Sequence, residues 1–89
     1  LEGVSDSCHT PGNAFALEPG GFRSGENALR TVRLNIPETS NRVTIVADVL
    51  KWFQSVHALK LANNPTCHRP GKLAMQLADN YATMFSVQL

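Results

Sequence analysis

The apolar positions of this chain keep a helical rhythm in two stretches and an alternating one in two others. From Asn41 to Asn63 the sequence reads NRVTIVADVLKWFQSVHALKLAN, with Ile45, Val49, Trp52, Val56 and Leu59 recurring at steps of four and three. Residues so spaced share one face of a helix. Val46 and Phe53 widen that stripe to the breadth of a core. Thr44, Asp48, Lys51, Ser55, Ala58 and Ala62 take the far side, all small or polar. The spacing predicts an amphipathic helix over about 42–63. The side-chain oxygens of Glu38-Thr39-Ser40-Asn41 would cap its start, and Asn63-Asn64-Pro65 would end it. The β-branched run Val43 to Val46 also reads as strand, which leaves the first turn of this helix open. A second stripe, Leu73, Leu77, Tyr81, Met84 and Phe85 with Ala74 and Ala78 beside it, predicts a helix over about 72–88. The short connector TCHRPG makes the two helices antiparallel neighbours.

The alternating stretches lie upstream. Ala14 to Arg23 (AFALEPGGFR) predicts a hairpin around Glu18-Pro19-Gly20-Gly21. Pro19 presets φ there, and Gly20 would take the positive φ of a type II turn. A loop with buried aromatics is the alternative. Ser24 to Asn27 is a second turn. In Ala28 to Ile36, Val32, Leu34 and Ile36 face one way while Thr31, Arg33 and Asn35 face the other, the pattern of a half-buried strand. A short helix capped by Ser24 competes with it, and Pro37 closes the stretch. The expected fold is α+β: a small N-terminal β-hairpin or sheet at about 14–36, packed against two antiparallel helices at about 42–63 and 72–88. An all-α fold with an irregular N-terminal third is the alternative. Leu1 to Asn13, rich in Gly, Ser, Asp and Pro, reads as an extended N-terminal arm of one small domain spanning 1–89.

Eighty-nine residues with 43% hydrophobic content build one core. Burial in a chain so short barely offsets chain entropy, so a staple or a partner subunit is expected. Eight basic and seven acidic residues give a net charge of +1. With no cationic cluster, nothing favours nucleic acid, and Trp52, Tyr81 and four phenylalanines are too scattered to stack on single strands. The most apolar run, Val43 to Leu50, is broken by Asp48 and is far shorter than the ~20 residues of a membrane span. The start at Leu1, with no initiator Met and acidic and polar up to Cys8, reads as a mature chain released by proteolysis or as a domain cut from a longer one, with no signal peptide remaining. No glycine-rich phosphate loop is present, and Pro65 blocks the only glycosylation-like triplet, Asn64-Pro65-Thr66.

Candidate chemistry rests on an echo. Cys8-His9-Thr10-Pro11-Gly12 and Cys67-His68-Arg69-Pro70-Gly71 share the pattern C-H-x-P-G. Two cysteines in a small, loop-ended chain suggest a Cys8–Cys67 disulfide and an extracellular setting. Such a bond would be worth about 4 kcal/mol, close to the whole stability of a small domain. A Cys2His2 zinc site has the right residue types, but adjacent Cys-His ligands are wrongly spaced. Two unrelated buried thiols complete the alternatives. His9 and His68 could activate a neighbouring thiol as a nucleophile. His57 lies where the apolar stripe meets the polar face, nine residues from Asp48 and on a different side. With Lys51 and Lys60 it makes up the candidate interaction residues of the first helix, whose mild positive excess could also hold it on a membrane surface.

These readings assign no catalytic residue, metal or cofactor. They describe a small secreted or virion-type non-catalytic interaction module, stapled by Cys8–Cys67, that binds a protein partner or a second copy of itself and no nucleic acid. The alternatives are a small secreted toxin or effector acting on membranes through helix 41–63, and a thiol-dependent enzyme subunit using Cys67 with His68 or His9.

Overall fold

Among the described residues one α-helix forms, not two. The computed structural model describes residues 1–23, 25–39 and 41–88, with Phe22 and Arg23 described by their backbone alone. The architecture is mixed α+β. Strand β1 (Glu2–Val4) pairs antiparallel with β2 (Ala14–Leu17), and β2 pairs parallel with β6 (Thr66–Cys67), giving a three-stranded sheet in the order β1-β2-β6. β3 (Phe22–Arg23) and β4 (Glu26–Asn27) make a two-residue ladder. β5 (Thr44–Ala47) pairs antiparallel with β7 (Phe85–Gln88) as a separate ribbon, and α1 (Lys72–Tyr81) is the single α-helix among the described residues. Two 3-10 turns, Pro11–Asn13 and Val49–Trp52, complete the described elements.

The helix expected over 42–63 is replaced by β5, the 3-10 turn and a series of tight bends. Four consecutive β-branched residues, Val43-Thr44-Ile45-Val46, restrict χ1 in a way that favours a pleated strand. Asp48 then accepts a hydrogen bond from the Leu50 backbone N–H at 3.2 Å and opens the 3-10 turn instead of a long helix. The burial of the expected stripe records the change. Trp52 is buried and Leu59 half-buried, whereas Ile45, Val49 and Val56 are exposed.

The second expected helix stops at Tyr81. Thr83 and Met84 donate to the carbonyls of Asn80 and Tyr81, tightening the chain out of the helix. Phe85-Ser86-Val87-Gln88 then alternates as β7. Upstream, β2 and β3 do not pair with each other, so the expected hairpin is absent, and Gly21 rather than Gly20 takes the positive φ, at 79°. The expected strand at 28–36 is irregular chain. The caps proposed at Ser24 and Ser40 lie outside the described residues.

The core is one thin layer. Leu17, Trp52, Cys67, Ala74, Leu77 and Met84 form the buried cluster, with Phe15, Phe53, Leu59, Leu61, Leu73 and Phe85 packed around it. Helix α1 therefore sits against β2, β6 and the 49–61 segment. A compact chain of this length has a radius of gyration of about 12 Å; this one has 15.2 Å, with extents of 50 × 34 × 19 Å. Its accessible surface is 6442 Å², against about 5,100 Å² for a compact monomer of this mass.

Candidate functional site

Two features stand out from this frame: a polar clamp that holds the fold, and an apolar ribbon that the fold leaves uncovered. The clamp starts at Asn80, fully buried near the end of α1. Its Nδ2 donates to the carbonyls of Trp52 and His57, both at 2.9 Å, and its Oδ1 accepts from the His57 backbone N–H at 2.9 Å. An amide has two donors and an acceptor, and this geometry uses all three functions. The Trp52 indole N–H donates to the Leu77 carbonyl at 3.1 Å, so helix and loop are tied in both directions.

Asp79, one residue earlier, faces outward. Its Oδ2 is 2.9 Å from His57 Nε2, and its Oδ1 accepts from Arg30 Nε at 2.8 Å. The hydrogen bond from His57, then that from Arg30, holds the Asp79 carboxyl below its ordinary value. Arg30 also donates to the carbonyls of Asn27, Leu29 and Met75, which fastens the irregular 28–37 stretch to the helix. A cavity of about 400 Å³ opens beside the pair, lined by Glu26, His57, Lys72, Met75, Gln76 and Asp79. The ionisable groups around it are the Glu26 and Asp79 carboxylates, the Lys72 amine and the His57 imidazole, with no hydroxyl or thiol among these lining residues.

The three interaction residues expected on one helix line no common cavity among the described residues. His57 belongs to the Asp79 cavity. Lys60 lines a separate groove with Leu50, Phe53 and Leu59. Lys51 is exposed on the 3-10 turn, where its carbonyl accepts from the Ser55 hydroxyl. The amphipathic helix on which a membrane-surface role rested does not form, and among the described residues no helix is long and apolar enough to cross a membrane.

The expected disulfide is also corrected. Cys8 and Cys67 are both buried, free and far apart. The N-terminal stretch folds back on itself, with Ser5 and Asn13 bonded through their backbones and Cys8 donating to Ser5, and this carries the Cys8 sulfur to the Leu61 carbonyl at 4.0 Å. Cys67 ends β6 beside Leu17 in the main cluster instead. Burial pushes the Cys67 thiol up, away from the thiolate a nucleophile needs, and His68 bonds Glu18 at 3.2 Å. Among the described residues no three His, Cys, Asp or Glu side chains converge as metal ligands would.

The second feature is the ribbon. All four residues of β5 are exposed, with Ile45 at 55%. The chain that continues from it presents Val49, Leu50 at 64% and Val56 at 63%. Ile45 and Ala47 stand opposite Val87 and Phe85 on one face, while Thr44 and Val46 stand opposite Gln88 and Ser86 on the other. One face is apolar throughout; the other is mixed with polar groups. Sequence patterning assigned Ile45, Val46, Val49, Val56 and Phe85 to helical stripes, with strand left open over Val43 to Val46, so the pairing of β5 with β7 went unforeseen. No family model, no curated protein and no solved structure matches this chain.

Proposed function

We propose that this chain is a non-catalytic interaction module that binds protein through its apolar β5–β7 ribbon. The observation that carries this is the exposure of Ile45, Val46, Val49, Leu50 and Val56 along one continuous segment. Scattered apolar side chains are ordinary on a surface; a run of them rimmed by polar residues is the usual mark of a contact site. The surface of 6442 Å² points the same way. It exceeds the compact expectation by about 1,300 Å², more than the ~800 Å² that each partner contributes to an interface of standard size. The His57-Asp79-Arg30-Asn80 network is better read as the clamp that shapes the module, since all its strong bonds are internal. With both thiols free, the cysteines no longer argue for any compartment.

The test is binding of an environment-sensitive apolar dye to the dilute chain, with Trp52 emission as the check on folding. The folded chain should bind the dye, and Ile45→Lys with Leu50→Lys should remove most of that binding without altering far-UV circular dichroism. A folded chain that binds no dye and associates with nothing would refute the proposal.

A further inference from the structure

Strand β5 has one open edge. Its ladder to β7 is its only backbone pairing among the described residues, and no side chain bonds its backbone. Natural edge strands are usually guarded by lysine, proline, a bulge or a covering loop. Thr44-Ile45-Val46-Ala47 carries no such residue.

We propose that the partner seated on this edge is β5 of a second copy, paired antiparallel about a two-fold axis through Ile45 to give a four-stranded sheet β7-β5-β5-β7. This rests on the ribbon being a binding surface and names its occupant. A two-fold relating adjacent antiparallel strands runs perpendicular to the sheet, so it keeps each side chain on its own face and must pass through a residue position. Centring on Ile45 sets that residue against itself, Val43 against Ala47 and Thr44 against Val46. It also sets Arg42 against Asp48, twice. Both residues are exposed, and Arg42 makes no ion pair among the described residues. Moving the axis to Val46 places Arg42 opposite Leu50, and moving it to Thr44 places Arg42 opposite Val46. Of these three registers, only the one on Ile45 matches charge to charge while aligning the apolar faces carrying Ile45, Ala47, Phe85 and Val87. A net charge of +1 offers little repulsion between copies.

The experiment is sedimentation equilibrium of the full chain from micromolar concentration upward, under reductant. A reversible dimer is expected. Ile45→Lys should leave a folded monomer. Arg42→Glu, which touches no internal bond, should weaken dimerisation about tenfold, and adding Asp48→Arg should restore it. Asp48 also caps the 3-10 turn, so if that double variant fails to fold, cross-linking decides the register. Ile45→Cys should oxidise to a covalent dimer, whereas Val46→Cys, set opposite Thr44, should not. A monomer at every concentration, or a dimer indifferent to Ile45→Lys and Arg42→Glu, would overturn the proposal. Dye binding that persists in such a monomer would leave the ribbon as a site for a different protein, so the two readings fail separately.

Discussion

Replacing Asn80 with alanine should be among the most damaging single changes in this chain. Three hydrogen bonds disappear together: two from Nδ2 to the carbonyls of Trp52 and His57, and one from the His57 N–H to Oδ1. At about 1 kcal/mol net for each, the loss is roughly 3 kcal/mol. Chain groups that the side chain satisfied lose their partner as well, the Trp52 carbonyl in a buried setting, so the figure is nearer a floor than a ceiling. A domain of this size has a total of about 4–13 kcal/mol, which makes the deficit a large share of the whole. Urea unfolding followed by Trp52 fluorescence measures it directly, because the indole packs against the same residues. With an m-value near 1 kcal/mol/M, the midpoint should drop by about 3 M. Asn80→Asp separates hydrogen bonding from packing. Its carboxylate would face two carbonyls, so the folded state favours the protonated form and raises the pKa above about 3.9. A raised acid pKa means the folded state binds more protons, so stability falls as pH rises through that window. Relative to wild type, the Asp deficit should grow from acid to neutral pH while the Ala deficit stays level. An alanine variant within about 0.5 kcal/mol of wild type would show that the Asn80 bonds are not what joins α1 to the loop.

Other consequences follow from the same contacts. Asp79 is held below its ordinary pKa by His57 and Arg30, so its contribution is present above about pH 4 and is lost as pH falls through the depressed value. Asp79→Asn should remove that part of the acid sensitivity and cost no more than about 1 kcal/mol at neutral pH, given its partial exposure; pH-dependent urea midpoints check both. Alkylation with mass detection should find both cysteines slow in the folded chain, yet both reactive after denaturation without any reductant. Protection that survives denaturation and yields only to reductant would restore the disulfide. Gly3 lies across from Phe15 in the β1–β2 ladder, and a Cβ there would come within 2.8 Å of the ring. Gly3→Ala should therefore displace Phe15 and lower the thermal midpoint, by a few degrees for about 1 kcal/mol.

What the sequence made legible was set by where local and tertiary signals agreed. Helix α1 combines a good stripe with good helix formers, and its start at Lys72 matches the expectation. Its end was misplaced because Met84 and Phe85 extend the stripe numerically, while Phe85 to Val87 already alternates with period two. The 41–63 segment shows the opposite conflict. Its spacing is helical but its first residues are β-branched, and periodicity alone could not weigh one against the other. The strand partner that decided the matter, β7, lies about forty residues on. Asn80 was visible in principle, since it stands three residues after Leu77 and seven after Leu73, on the apolar face of the helix. A polar side chain on such a face needs buried partners. Arg30, by contrast, reaches Asp79 across 49 positions of sequence, and no local pattern announces that pairing.

The ribbon ties these observations together. A two-stranded ribbon is marginal by itself in water, and this one is anchored to the core at its Phe85 end. Phe85 packs edge-on against Tyr81, whose ring meets Trp52 in turn, and the Asp48 N–H donates to the Met84 carbonyl at 2.9 Å. At the far end Thr44 pairs with Gln88. Adding a strand to the open edge would satisfy the outward backbone groups of β5 and, through the ladder, hold β7 against α1. Association should therefore slow exchange in residues the second copy never touches. Amide hydrogen exchange tests this: at high dilution the β5 and β7 amides should exchange far faster than those of α1, and at high concentration both strands should gain protection. Protection that reached β5 alone would mean the edge is merely covered. Protection that extends along β7 would mean that binding completes a sheet the isolated chain leaves half built.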